Sequence, residues 1–351
     1  MDFWSGIFPS RGSRHTTTFP TCQANRFLRF PLIIALGALL ICGCSSKPNR
    51  RHIVVLSSTP AFQAIFEGFK AQMKALGYRE GVNVSYDFHS IHPPSLTPDA
   101  LAYLIGRKAD LIFAFPTEAA IAAKEAARQL AGVPVVFAYA GIEGDRLVES
   151  VRAPGDNITG VRFPGPEQIG KRLEMLHSIA PEVKRVWIGY DRDYPNSEPA
   201  LAVLKPLADL MGIVLVEVPV GSIEEIATDF EQRERFGHPG VDAMLLMPDT
   251  YVHSPAGWRL IREFAEQHKL PIAGSFLYTV EEGAVFGNAN DLSVVGELAA
   301  PLVTKIFDGI PAGTIPVVTP EQDLYINCKR ASELHLNLPE GLLRQAKEIL
   351  R

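Results

Sequence analysis

HIVVLSS (52–58), PAFQAIFEGFKAQMKALGY (60–78) and VNVSYDF (82–88) follow one another across short gaps. The first is a β-branched run that ends in small polar residues, as a buried strand does where it meets a loop. In the second, Phe62, Ile65, Phe66, Phe69, Met73 and Leu76 recur at helical spacing, which predicts an amphipathic helix with one apolar face. Gly77 closes it, because a residue just past a helix end often takes the left-handed conformation that glycine tolerates. The third alternates apolar and polar residues, the signature of a half-buried strand. Strand, helix, strand is the unit of a parallel sheet.

The unit recurs. LAYLIGRKA (101–109) predicts a helix, DLIFAF (110–115) a strand, TEAAIAAKEAARQLA (117–131) a helix and VPVVFAYA (133–140) a strand. Strands this uniformly apolar belong in a sheet covered on both faces. A second series begins after GDNITGVRF (155–163) and alternates the same way to LPIAGS (270–275). Pro154-Gly155 and Pro164-Gly165-Pro166 bracket the junction with turn-forming residues. The chain is therefore expected to be α/β with two halves rather than one very wide sheet. Beyond Gly283 the pattern changes to AVFGNAN (284–290), a helix LSVVGELAAPLVTKIFDG (292–309), a strand-like LYINCKRA (324–331) and a last helix EGLLRQAKEIL (340–350).

Upstream, residues 31–43 form an apolar run behind Arg26 and Arg29. A bilayer crossing needs roughly 20 such residues; this shorter run, with positive charge before it and small Gly43 at its end, reads as an export signal, a buried core helix being the alternative. From Ser45 to Arg51 the chain is polar and suits a short tether. Of the cysteines Cys22, Cys42, Cys44 and Cys328, only the last two follow Gly43, so no disulfide framework is expected. The formal charge is -5; without the leader it becomes about -8, which disfavours nucleic acid as a partner. Roughly 300 residues after the leader suffice for two cores.

In open parallel sheets a ligand binds beyond the carboxyl ends of the strands, where helix N-termini present free N–H groups. The loops in question hold Ser58 and Thr59, Thr117, Tyr139, Tyr190, Asp249, and Ser275 with Phe276. Each has a simpler role available. Ser58, Thr59 and Thr117 suit helix N-caps, and the aromatic residues suit the core. Asp249 ends the apolar run AMLLM after Pro248; it can cap the next helix or bind an ammonium through a charge-assisted hydrogen bond. Catalytic motifs are thin. The chain contains no G-x-S-x-G elbow, no G-x-x-x-x-G-K-[ST] phosphate loop and no H-E-x-x-H pair, and its nine histidines do not cluster at metal spacing. A binding protein without cofactor or metal is the expectation.

APGDNITGVRF (153–163), KRLEMLHSIAPEVKRVWIGYD (171–191) and LYINCKRASELHLNLPEGLLRQAKEIL (324–350) together resemble the substrate-binding proteins of ABC transporters of the tryptophan/tyrosine type. The resemblance runs from about His52 to Arg351. It implies a two-lobed periplasmic-binding-protein-like fold of type I, each lobe a parallel sheet flanked by helices, with hinge crossovers. The implied division is lobe 1 at 52–162, lobe 2 at 163–283, a return to lobe 1 at 284–310 and a C-terminal segment, 311–351, mainly on lobe 2. The implied partners are a small molecule, often an amino acid, and an ABC permease with its ATPase; a monomer is expected. Ser58, Thr117 and Ser275 would face the ligand, and Asp249 matches an acidic position suited to an amino group. The chain departs from relatives in reading Pro248-Asp249-Thr250 rather than Thr-Asp-Asn, and in lacking a His-Pro in the first loop. Ile41-Cys42-Gly43-Cys44 is similar to a lipobox, which implies a signal peptide over 1–43, a tether over 44–51 and attachment to a lipid bilayer through acylated Cys44 on the periplasmic or other extracytoplasmic face. Two other roles stay open: a ligand-sensing lipoprotein serving a signalling partner, and a lipid-anchored α/β enzyme.

Overall fold

The computed structural model describes residues 50–351 except 92–97, 107–108, 131, 144–146 and 248. These residues lie in one compact unit, Lys47–Arg351. The expected signal segment 1–43, the acylated Cys44, most of the tether and Pro248 fall outside the described residues.

The first series folds as β1 (Arg51–Ser57), α1 (Gln63–Ala75), β2 (Val84–Ser90), α2 (Pro98–Ile105), β3 (Leu111–Phe115), α3 (Thr117–Ala127), β4 (Val135–Ala140) and β5 (Ile158–Arg162). Its five strands make a parallel sheet in the order β2-β1-β3-β4-β5. The central strands β1, β3 and β4 are the near-continuous apolar runs and are buried on both faces, whereas the alternating β2 sits at the edge.

The second lobe begins with α4 (Gly165–Ile179) and continues through β6 (Arg185–Asp191), α5 (Ser197–Met211), β7 (Val214–Val220), α6 (Ile223–Arg235), β8 (Ala243–Leu245), α7 (Pro255–Gln267), β9 (Ile272–Gly274), α8 (Leu277–Glu281) and β10 (Phe286–Ala289). After α9 (Leu292–Phe307), which joins the first lobe, come β11 (Asp323–Asn327), α10 (Cys328–Glu333), α11 (Glu340–Gln345) and β12 (Glu348–Leu350). The second sheet is ordered β12-β11-β10-β9-β8-β6-β7 and is parallel except for the antiparallel pair β10/β11. Each sheet carries one apolar cluster on each face.

Two features differ from the sequence reading. Residues 284–289, expected in the return to lobe 1, belong to lobe 2: β10 pairs with β9 and β11, and Ala284, Val285 and Phe286 are buried in the second lobe. The crossing occurs at Asn290-Asp291, where Asp291 caps α9 by accepting from Ser293 N at 2.9 Å. Residues 315–318 also stay with lobe 1, since Thr159 Oγ1 donates to Ile315 O at 2.8 Å and Val318 bridges to Val161 beside β5. The second difference is the last helix, which stops at Gln345. Residues 348–350 add a strand beside β11, and Lys347 N donates to Leu324 O at 2.8 Å. A free sheet edge satisfies those backbone groups, which local periodicity does not register.

The return of α9 completes the first lobe. Val295, Ala299, Leu302 and Val303 enter its core beside Ile65 and Phe69 of α1. The two helices touch through glycines: a Cβ on Gly296 would lie 1.9 Å from Ile65 O, and one on Gly68 2.1 Å from Ser293 O. The chain thus passes between the lobes near 163–164, at 290–291 and at 319–322, and the loops at the carboxyl ends of the parallel strands face one another across the resulting cleft.

Candidate functional site

A cavity of about 820 Å³ lies in this cleft, with walls from both lobes. That volume suits a small organic solute. From lobe 1 come Thr59, Phe62, Pro116, Tyr139 and Phe163. Tyr139 sits at a register shift near the end of β4 with φ 54°, a conformation uncommon for any residue but glycine. Such bulges re-aim side chains near binding sites. Here the ring meets Phe62 and Phe163 at centroid distances of 5.4 and 4.7 Å, and Phe276 of the other lobe at 6.3 Å.

Asp249, 5 % exposed, supplies a carboxylate from lobe 2. It follows β8, and its Oδ1 accepts from Tyr251 N at 2.7 Å and Val252 N at 3.0 Å. Oδ2 is buried and has no hydrogen-bond partner among the described residues. Burial pushes its pKa up to about 7, against the N–H groups of Val252 and Tyr251 that favour the charged form. An uncompensated carboxylate of this kind is costly to keep ionised and gains most from a cation brought to it.

Ser275, His253 and Tyr278 form a second polar group on the wall. Ser275 Oγ lies 3.2 Å from His253 Nε2, and His253 Nδ1 lies 3.1 Å from the Tyr278 hydroxyl. The order resembles a nucleophile, a base and an orienting group, but burial first and Arg172 second drive the imidazole pKa down to about 3. So weak a base is poorly matched to proton abstraction at neutral pH; a neutral imidazole bonded on both sides instead fixes the serine and the tyrosine in place.

Arg172, only 3 % exposed, projects from α4. Its Nε donates to Asn288 Oδ1 at 2.8 Å, Nη1 to Leu246 O at 2.6 Å and Nη2 to Asn288 O at 3.0 Å. Burial lowers its pKa to about 10, so it remains a cation.

Of the residues singled out from the sequence, Thr59, Tyr139, Asp249, Ser275 and Phe276 come together on the cavity wall. Ser58 and Thr117 are not among the residues that line it. Ser58 N donates to Phe115 O at 3.3 Å. The fully buried Thr117 Oγ1 accepts from Gly141 N at 3.0 Å and from Asn196 Nδ2 of lobe 2 at 3.1 Å. Tyr190 is elsewhere: it packs in the lobe 2 core, and its hydroxyl donates to Glu217 Oε2 on β7 at 3.1 Å. Its position near the end of β6 suggested the cleft, but its ring packs with the cluster on the α4/α5 side of the sheet. The sequence reading missed Phe62, Phe163, Arg172, Tyr194, His253 and Tyr278. For Arg172 a signal existed. Gln168 and Arg172 are spaced i, i+4 beside Ile169, Leu173 and Leu176, placing a polar pair on the buried face of a helix.

Comparison with known proteins gives a consistent result. The family described as "ABC transporter substrate binding protein" matches residues 52–350. A tyrosine-binding protein of Clostridioides difficile is 26 % identical over 317 residues, covering 84 % of this chain and 89 % of its own. Among solved structures, a conserved domain protein of Vibrio cholerae superposes with TM-score 0.75 at 25 % identity, covering 85 % of this chain and 99 % of the other. An ABC domain of Streptococcus pneumonia in complex with L-Trp superposes with TM-score 0.72 at 24 % identity, covering 86 % and 100 %; at that identity it speaks for the two-lobed fold. Among the described residues, no helix is long and apolar enough to cross a membrane.

Proposed function

The chain belongs to the ABC transporter substrate-binding protein family, and from that premise we propose that the solute it captures for its permease is an amino acid. The ligand's ammonium meets Asp249, and its apolar part lies among Phe62, Tyr139, Phe163 and Phe276. One observation carries this reading: a buried carboxylate, one oxygen of which has no hydrogen-bond partner among the described residues, faces an aromatic-walled cavity shared by both lobes. The L-Trp held by the Streptococcus protein and the tyrosine named for the Clostridioides protein support it.

Binding without chemistry is enough for the task. A ligand touching both lobes favours the closed form by its differential affinity for closed over open, and the permease can read lobe separation as loading. Attachment through acylated Cys44 after removal of residues 1–43 belongs to the same proposal. It keeps a monomeric receptor beside the permease on the extracytoplasmic side. A lipidated N-terminal cysteine carries more than one acyl chain, which stable anchoring requires.

Thermal unfolding of the purified chain against amino acids, peptides, nucleosides and sugars tests the ligand class. An amino acid at a hundredfold excess over Kd should add about 2.7 kcal/mol. Stabilisation by sugars or nucleosides and by no amino acid would refute the reading. Replacing Cys44 by serine should move the chain from the membrane fraction to the soluble one.

A further inference from the structure

The end of lobe 1 opposite the cleft, where its strands begin, carries a surface that ligand binding does not use. Arg51 opens β1 there and ties two loops together. Its N donates to Asn83 O at 2.9 Å, in the loop after α1, and its guanidinium lies 4.7 Å from the ring centroid of Phe307, at the end of α9, with Nη2 donating to Phe307 O at 3.2 Å. Tyr78 of the first loop packs on the same Phe307 ring at 5.6 Å. These two loops expose Leu76, Val82 and Ile310 at 41, 59 and 43 %. An exposed aliphatic side chain is ordinary when it stands singly; these three share the two loops that Arg51 joins.

Unpaired cations accompany them. Arg50, Lys74, Arg79 and Lys305 are exposed, and among the described residues none forms an ion pair or a side-chain hydrogen bond. The exposed carboxylates on the same loops are Glu80 and Asp308, while Asp110 is engaged by Arg51 and by His52 N. Cations therefore exceed free carboxylates here, in a chain whose formal charge without its leader is about -8. A helix C-terminus favours a cation in its last turn, which accounts for Lys74 and Lys305 taken alone. It accounts for neither Arg50 nor Arg79, nor for the aliphatic side chains among them.

We infer that this surface docks on a lipid bilayer, its cations on anionic headgroups and Leu76, Val82 and Ile310 at the boundary of the acyl chains. The inference rests on the reading of Cys44 as the lipid anchor. Seven peptide units join Cys44 to Arg51 and reach at most about 25 Å, so the anchor holds this end of lobe 1 near the membrane. The tether also makes a weak surface sufficient, because contact with the bilayer becomes intramolecular, at an effective concentration on the order of millimolar. Basic side chains near an anionic leaflet and shallow aliphatic insertion reinforce one another. Docked this way, the molecule turns the carboxyl ends of the lobe 1 strands away from the lipid, and lobe 2 is free to open and close.

The test is sedimentation of the chain from Ser45, which keeps the whole compact unit Lys47–Arg351, with millimolar lipid as vesicles of phosphatidylcholine alone or with a quarter phosphatidylglycerol. Binding to the anionic vesicles should exceed binding to phosphatidylcholine at least tenfold, and should fall as far at about 0.5 M salt, where surface charges are screened within a few ångströms. Arg79→Glu with Lys305→Glu should lower it at least tenfold. Lys184→Glu with Arg259→Glu, the same change of charge at exposed lobe 2 residues, should alter it less than twofold. Val82→Ser with Ile310→Ser should weaken it and preserve its salt dependence. Should the variants fail to fold, hydrogen exchange on the wild-type chain decides: amides of 76–83 and 307–310 should exchange at least threefold more slowly on anionic vesicles. No binding, equal binding to both vesicles, equal loss in the two charge-reversed pairs, or protection of these loops by dimerisation without lipid overturns the inference. Because this chain lacks Cys44, its result is separate from that of Cys44→Ser, whose retention in the membrane fraction after a salt wash would remove the anchor alone.

Discussion

Asn196 of the second lobe donates through Nδ2 to Thr117 Oγ1 of the first at 3.1 Å, and a Cβ placed on Gly141 of the first lobe would lie 2.1 Å from Asn196 Oδ1. Thr117 Oγ1 also accepts from Gly141 N, so three residues from two lobes form one buried contact. Such a contact exists only while the lobes are together. It therefore counts as binding energy withheld from the open form.

Gly141→Ala tests this directly. Gly141 is not among the glycines with positive φ, so alanine brings no backbone strain and its effect falls on the contact between lobes. Overpacking of this kind costs about 1–3 kcal/mol, which should weaken ligand affinity by about 5- to 150-fold while each lobe stays folded. Small-angle scattering should show a larger radius of gyration for the variant at subsaturating ligand. An unchanged affinity would mean that Asn196 yields without cost.

Asp249 and His253 should pull stability in opposite directions with pH. With its pKa pushed from 3.8 to about 7, folded Asp249 holds a proton between about pH 4 and 7 that the unfolded chain has released; stability then falls as pH rises through that window. Folded His253, with its pKa driven from 6.5 to about 3, refuses a proton that the unfolded chain takes up, so stability falls as pH drops below about 6.5. Each slope is at most about 1.4 kcal/mol per pH unit, and between about pH 4 and 6.5 the two oppose each other. Urea midpoints should climb with pH in Asp249→Asn and fall with pH in His253→Gln. The proposal for Asp249 adds that Asp249→Asn loses affinity for amines; identical pH profiles in variant and wild type count against the buried carboxyl.

Gly296→Ala should damage the first lobe. The added carbon would meet main-chain atoms, Ile65 O at 1.9 Å and Phe69 N at 2.7 Å, and backbone inside a packed helix pair has little room to move. A loss of about 3 kcal/mol or more is expected, lowering Tm by about 6 °C or more on a scale of 2–4 °C per kcal/mol. A Tm within a degree of wild type would show that α1 and α9 separate easily.

Tyr190→Phe separates core from cleft. The hydroxyl bonds Glu217, and the ring packs in the lobe 2 core, so the variant should lose about 0.5–1.5 kcal/mol of stability and keep its ligand affinity. Weakened binding at unchanged stability would return Tyr190 to the site.

The Tyr190 case illustrates where the sequence stops being informative. Its position near the end of β6 was legible from apolar runs alternating with amphipathic stretches. Whether its ring entered the cleft or the core was not, because that depends on which helices cover each face of the sheet. Asp249 was legible because a carboxylate directly after a buried strand has few places to go. Phe62, Phe163 and His253 carried no local mark, since an aromatic or an imidazole beside a strand end looks the same in a core as in a cavity.

What the residues alone determined is the repeating strand-helix unit, the break near Pro164-Gly165-Pro166 and the edge on which a ligand would sit, because burying one face of a helix and both faces of a strand imposes periods readable within a few residues. Tertiary structure alone decided that β10 stays with the second lobe, that residues 348–350 close a sheet edge, and that Arg172 and Asp249 face one cavity from different points. Those outcomes depend on backbone groups pairing with other strands of the sheet and on a buried charge finding partners on other elements, and no local period encodes that pairing.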